Sequence, residues 1–294
     1  MADPWGRARV SLPPGASDVR PIGGGDINEA FHVVLADGRE AFVKTRREVA
    51  PGEYAAEAAG LAWLSEPGAL RTPRVLDLDE EYLALEWIAA GPLDEPGAEE
   101  LGRGLAATHA AGAPRFGGLD GLRGPREGGA ALSRFGSLQL ANEPTADWPS
   151  FYAGRRLLPL ARIAGDRGAL SASGIRAVER VCERIEELSG PAEPPARLHG
   201  DLWSGNVMAD LDGRPWLIDP SAYGGHREVD LAMLRLFGAP AERVFSAYEE
   251  VAPLAEGWEE RVDLYQLLPL LVHAVLFGGS YRNAAERVAM RCAR

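Results

Sequence analysis

Asp201 and Asn206 stand five positions apart in the run Leu198-His199-Gly200-Asp201-Leu202-Trp203-Ser204-Gly205-Asn206. A carboxylate at the first position can take the proton of a substrate hydroxyl as that oxygen attacks phosphorus. An amide oxygen one loop turn later can ligate Mg²⁺. Thirteen residues beyond Asn206, the apolar run Trp216-Leu217-Ile218 ends in Asp219, a second hard oxygen donor. Magnesium keeps several waters and shares phosphate oxygens, so one carboxylate and one amide make a sufficient protein contribution. Taken singly, Asp and Asn are common turn formers, and Asp219-Pro220 would serve as a turn start.

The chain carries 31 basic residues, and Lys44 is its one lysine. Arginine serves wherever a diffuse positive charge is enough. A compact ammonium on a flexible stem meets phosphate oxygens as a point charge, which a planar guanidinium replaces badly. With Glu57 placed to orient it through an ion pair, Lys44 suits the α- and β-phosphates of ATP. The turn Gly23-Gly24-Gly25-Asp26-Ile27-Asn28 could cover those phosphates with backbone N–H groups. That turn alone is weak evidence, since it lacks the full G-x-G-x-x-G pattern. The order Lys44, Glu57, Asp201, Asn206, Asp219 is the order a kinase mechanism needs. No G-x-x-x-x-G-K-[S/T] or G-x-S-x-G run occurs.

These residues need a frame. Asp18–Ile22, Ala30–Leu35 and Glu40–Thr45 read as an antiparallel meander turned at Asp37-Gly38, with Lys44 near the end of the third strand. A helix is expected over Glu53–Leu64, and strands over Arg74–Leu78 and Tyr82–Ile88 complete a five-stranded sheet. Ala89-Ala90-Gly91-Pro92 reads as a hinge, which divides the chain into a nucleotide-binding lobe, 1–88, and a larger, mainly helical catalytic and substrate-binding lobe, 89–294. In that second lobe, helices are expected over Ala98–Ala111, Trp148–Ala164 (weakened by Pro159), Gly174–Ser189, Ala241–Glu250 and Trp258–Phe277. Gly112–Gly129 reads as surface loop. The expected fold class is α+β.

With 43 acidic residues the formal net charge is −12, and the basic residues form no block, which argues against nucleic acid and anionic membranes as partners. Two cysteines, Cys182 and Cys292, cannot supply a disulfide framework, and no Cys/His cluster suggests structural zinc. Met1 to Pro14 lacks an apolar signal core, and no segment approaches the roughly 18 apolar residues of a spanning helix. A cytoplasmic monomer or weak homodimer acting on a small molecule is the expectation.

The motifs together resemble the fructosamine kinase (ketosamine 3-kinase) family, within the aminoglycoside phosphotransferase-like kinases of protein-kinase-like two-lobe fold. The likeness rests on Gly23 to Phe31, Phe42-Val43-Lys44, Glu57-Ala58 with Gly60-Leu61, and His199 to Asn206. Its most diagnostic run is Tyr223-Gly224-Gly225-His226-Arg227-Glu228-Val229-Asp230-Leu231-Ala232-Met233. The resemblance implies ATP- and Mg²⁺-dependent phosphorylation of the 3-hydroxyl of a ketosamine such as a fructosamine or ribulosamine, as deglycation repair. It makes Asp201 the base, Asn206 and Asp219 the metal ligands, Lys44 and Glu57 the phosphate clamp, and Glu86-Trp87-Ile88 the adenine-binding hinge.

For the acceptor, Trp203 and Trp148 offer stacking faces, and Tyr223 and His226 follow the metal aspartate into the region of an acceptor pocket. Arg227 and Asp230 read as braces, His199 as a loop support, and His109 and His273 as core or boundary residues of apolar helices. The competing functions are a kinase of another hydroxyl substrate (an aminoglycoside, choline, homoserine or a thio-sugar) and a nucleotide-binding regulatory protein without turnover. A protein kinase is disfavoured, because Asp219-Pro220 replaces Asp-Phe-Gly and no Ala-Pro-Glu follows.

Overall fold

Strands β1 (Ser17–Ile22), β2 (Glu29–Val34) and β3 (Glu40–Thr45) form the meander, with Gly38 at φ 85° turning β2 into β3. The computed structural model describes residues 11–23, 28–46, 49–118, 126–127, 130–238 and 240–294. Gly24, Gly25, Asp26 and Ile27 of the glycine turn lie outside the described residues.

Helix α1 (Glu53–Ser65) follows, then β4 (Val75–Leu78) and β5 (Tyr82–Glu86), giving one five-stranded antiparallel sheet in the order β1-β2-β3-β5-β4. Period-2 side chains put Phe31, Val33, Ala41, Val43 and Ala84 on one buried face, while Leu83 and Leu85 meet Tyr54, Ala58 and Leu61 of α1 on the other. The alternation also carries Lys44 to the α1 face.

Beyond the sheet, β6 (Ala90–Gly91) pairs with a strand more than a hundred residues later, and α2 (Glu95–Ala110) begins. Asp94 caps α2 by accepting from the Gly97 amide at 2.8 Å, with Pro96 in the first turn where its missing N–H costs nothing. That cap starts the helix three residues before the expected Ala98.

The stretch expected as surface loop is only partly so: Phe116 and Gly117 are buried and bridge to Thr145 and Gly224. A meander of β7 (Arg126–Glu127), β8 (Ala130–Phe135) and β9 (Leu138–Ala141), not foreseen in the sequence, comes next.

Helix α3 (Trp148–Phe151) is capped by Asp147 and runs through a π-helical turn, Tyr152–Leu157, into α4 (Leu158–Asp166). Pro159 is tolerated because it sits in the first turn of α4. Helices α5 (Ala172–Glu183) and α6 (Ile185–Leu188) lead to β10 (Ala196–Leu198). A 3₁₀ turn at Ser204–Asn206 precedes β11 (Val207–Asp210), β12 (Pro215–Leu217) and β13 (Tyr223–Gly225). Small sheets β10-β13 and β12-β11-β6 frame the loop between them.

Helices α7 (Glu228–Leu234), α8 (Glu242–Val251), α9 (Trp258–Phe277) and α10 (Ser280–Cys292) close the chain. Inside α9, Pro269 has no N–H for the Tyr265 carbonyl, and the Tyr152 hydroxyl donates there at 3.4 Å. The main core joins α3, α4, α5, α9 and α10, and a second joins α2, α7 and α8. Among the described residues no helix is long and apolar enough to cross a membrane.

Candidate active site

Lys44 on β3 faces α1, where Glu57 makes an ion pair with it at 2.5 Å, and its ammonium also donates to Asp219 Oδ1 at 2.8 Å. The lysine is 4 % exposed. Burial alone would lower the pKa of its ammonium, but the Asp219 and Glu57 carboxylates outweigh burial and raise it. Burial pushes Glu57 up to about 7 against the pull of Lys44. Asp219 is held below the usual carboxylate value, because the Lys44 ammonium overcomes its desolvation.

Asp219 directly follows β12 and Ile218, and it turns the chain at φ 54°, a conformation few non-glycine residues adopt. The Ile218 amide donates to the Asn206 carbonyl at 3.1 Å, tying the 3₁₀ turn to the strand that presents Asp219. Asn206 points its amide nitrogen at Asp201, donating to the backbone oxygen at 2.8 Å and to Oδ2 at 3.3 Å. With that nitrogen engaged, the amide oxygen is the group left to a cation, and the half-exposed Asp219 carboxylate supplies a second hard donor. Among the described residues no group of three His, Cys, Asp or Glu side chains is arranged to hold a metal ion, so the fit is to a cation completed by phosphate oxygens and water.

Asp201 sits in a loop gripped from behind. The buried Asp230 accepts from the His199 amide at 2.7 Å and the Gly200 amide at 2.9 Å, and the Ser221 amide donates to the His199 carbonyl at 2.9 Å. Gly200, at φ 81°, is required here, since a Cβ would lie 2.2 Å from the Ser221 carbonyl oxygen. His199 braces the loop: its Nε2 must donate to the Ile218 carbonyl at 2.8 Å, which leaves Nδ1 to accept from the Asp201 amide at 3.3 Å. The neutral tautomer this requires agrees with burial lowering its pKa. His109 completes the support, with Nε2 3.3 Å from Asp230 and Nδ1 2.9 Å from the Tyr248 hydroxyl. Burial, and then the Asp219 charge, push Asp201 up to about 7.

Lys44, Asp201, Asn206 and Asp219 all line one cavity of about 690 Å³ between the sheet and the helices, which Asn28 also lines. An adjoining apolar slot of about 260 Å³ is lined by Ile22, Phe42, Met208, Ile218 and the segment Glu86-Trp87-Ile88. Glu86 directs its side chain to Arg74, 3.1 Å away, and Trp87 meets His32 edge to face. Gly23 is exposed at the end of β1 with open space around it.

The structure separates the four residues expected at the acceptor. Trp203, 38 % exposed, lines the cavity and packs over Gly205. Trp148 is 3 % exposed, stacks on Tyr152 and donates to the Tyr265 hydroxyl at 3.2 Å, so it is a core residue. Tyr223 and His226 are also corrected to the interior. Strand alternation on β13 and the turn into α7 aim them away from the cavity, against Arg156 and Tyr265. His273, expected as a core or boundary residue, is a half-buried boundary residue that lines the cavity with Phe237, Phe277 and Tyr281. The sequence concealed this wall because the register of α9 against α10 decides which face is open, and α10 has only a thin apolar stripe, Ala285, Val288 and Ala289.

Comparison with known proteins places this geometry. The family model described as fructosamine kinase matches residues 12–294. A "Probable ketoamine kinase" of Thermus thermophilus is 38 % identical over 270 residues, 91 % of each chain. The chloroplastic protein-ribulosamine 3-kinase of Arabidopsis thaliana is 35 % identical over 275 residues, 91 % of this chain and 80 % of the relative. The crystal structure of a fructosamine-3-kinase candidate from Thermobifida fusca superposes with a TM-score of 0.85 at 45 % identity, covering 95 % of this chain and 93 % of that one.

Proposed function

The chain belongs to the fructosamine kinase family and has its protein-kinase-like two-lobe fold, and from that premise we propose that it phosphorylates the 3-hydroxyl of a ketosamine with ATP, through Asp201. The observation that carries the reading is the meeting of Lys44, Asp201, Asn206 and Asp219 on one cavity beside an apolar slot. The slot takes the adenine, with Glu86-Trp87-Ile88 along its edge and the lobe boundary just beyond, where the chain has left the large sheet at β5 and β6 pairs with β11 instead.

Lys44, oriented by Glu57, holds the α- and β-phosphates as a point charge. Asn206 and Asp219 would hold Mg²⁺, which when bound neutralises charge on the phosphoryl oxygens. Asp201 accepts the proton of the sugar 3-hydroxyl as the oxygen–phosphorus bond forms and the bond from the γ-phosphorus to the β,γ-bridging oxygen breaks. ADP leaves, and the proton remains on Asp201 until water takes it. A carboxylate raised toward neutrality by burial is a stronger base than an exposed aspartate.

The test is ATP consumption with Mg²⁺ against a fructosamine, a ribulosamine, an aminoglycoside and choline, with product masses identified. Phosphorylation of ketosamines alone is expected. Turnover of another acceptor alone would replace the substrate, and ATP binding without any turnover would support a regulatory role.

A further inference from the structure

Beyond Asp201 the cavity ends in a wall that the phosphoryl-transfer steps do not use. Trp203 meets Phe237 edge to face with ring centroids 6.3 Å apart, and Phe237 in turn meets His273 at 4.6 Å. His273 lies 5.4 Å from Phe277 and 5.0 Å from Tyr281. The rings form a continuous path from the catalytic loop to the corner where α9 turns into α10 at Gly278 and Gly279. Phe277, 50 % exposed, stands at its open rim.

Of the polar rings in this wall, His273, Trp203 and Tyr281, the imidazole has a hydrogen-bonding sense fixed by its backbone partner. His273 Nδ1 lies 2.8 Å from the Pro269 carbonyl oxygen, which can only accept, so Nδ1 carries the proton and Nε2 keeps a lone pair. Burial also holds the pKa of this imidazole below its ordinary value. Among the described lining residues the only charged side chains are Lys44, Asp201 and Asp219, all at the transfer end. Among the described lining residues the far end therefore offers aromatic faces, the His273 acceptor and the neutral polar groups of Trp203 and Tyr281, with no cation to pair with a carboxylate and no acid to pair with a polycation.

Resting on the ketosamine reading, we propose that the α9–α10 corner is the subsite for the substituent borne by the acceptor's nitrogen, with His273 Nε2 accepting a hydrogen bond from the acceptor and Phe277 selecting apolar substituents over carboxylate-bearing ones. Its open rim lets an extended alkyl or aromatic group pass out to solvent. A ketosamine of an α-amino acid, by contrast, brings its carboxylate to a corner whose described lining has neutral donors only and no cation to offset the lost hydration.

The experiment compares kcat/KM for two fructosamines with the same sugar, one made from benzylamine and one from glycine, in the wild type, Phe277→Arg, His273→Phe and His273→Gln. The wild type is expected to prefer the benzylamine compound. Phe277→Arg adds a cation at an exposed position and is expected to shift the preference toward the glycine compound by about tenfold. His273→Phe keeps the ring but removes the acceptor, and is expected to raise KM for both compounds, with His273→Gln restoring part of the loss. A preference ratio that stays within twofold across wild type and Phe277→Arg would overturn the subsite, as would equal KM values in His273→Phe and the wild type. If the wild type phosphorylates neither these fructosamines nor the ribulosamines of the same two amines, yet turns over an acceptor that is not a ketosamine, the ketosamine reading itself falls, and the subsite with it; if it takes the ribulosamines alone, the same preference ratios are read on them.

Discussion

Lys44 and Asp219, 175 residues apart in sequence, meet at 2.8 Å between Nζ and Oδ1, and this contact joins β3 of the large sheet to the turn that follows β12. A single buried ammonium thus bridges the Glu57 carboxylate on α1 and the carboxylate assigned to the cation. Both partners approach one nitrogen, a geometry that suits a compact charge and not a planar fork.

Lys44→Arg is therefore expected to lower kcat/KM for ATP by about a hundredfold or more, the order lost when a positioned charge is removed from a transferring group. Steady-state kinetics with varied ATP check this. Wild-type kinetics in the variant would show that charge alone is enough at this position.

Asp230 is the hinge of the loop's rigidity, since it is fully buried and accepts from two consecutive amides, those of His199 and Gly200. Asp230→Asn turns one of those acceptors into a donor facing an N–H. Urea denaturation should show a loss of about 3 kcal/mol, and the displaced Asp201 should lower kcat in the fraction that stays folded. A midpoint unchanged from the wild type would remove this role.

The interior placement of His226 carries a pH signature. Burial depresses its imidazole from 6.5 to about 4, with Glu193 at 3.8 Å pulling the other way and Arg227 and Arg261 adding to the depression. The native state keeps the ring neutral while the unfolded chain protonates it. The associated stability is present above the ordinary imidazole value and is lost as pH falls toward the native one. Between pH 7 and pH 5 the loss from this group is about 2 kcal/mol. Unfolding of His226→Gln should show a correspondingly shallower acid limb. An identical limb in wild type and variant would mean that His226 is not held neutral.

The meeting of Lys44, Glu57, Asp201, Asn206 and Asp219 was largely legible because these residues sit on or beside regular elements of short range. Strand alternation gave the face of Lys44, helical spacing gave Glu57, and the loop between two small strands gave Asp201 and Asn206. The acceptor side was not legible. Trp148 and His226 carry the polar-tipped aromatic chemistry of a binding site, yet long-range packing against Tyr265 on α9 closes over both. His273 read as a core or boundary residue because the second half of its helix is apolar nearly all round, and only the position of α10 decides that one face stays open to the cavity. The hairpin of β8 and β9 lies beyond the stretch read as loop, where no element is expected; its short strands pair through a turn at Gly136 that carries no two-residue Asn-Gly or Asp-Gly signal.

In the proposed reaction Asp201 is the group that takes the acceptor's proton. The decisive measurement is phosphoryl transfer from ATP to a fructosamine by Asp201→Asn, with ATP affinity measured on the same preparation. The carboxamide keeps the size of the side chain and the oxygen facing Asn206, but it cannot hold the proton. ATP affinity should stay within about threefold of the wild type, while transfer falls by about a thousandfold. Transfer within tenfold of the wild type, with ATP still bound, would contradict the assignment of Asp201 as base.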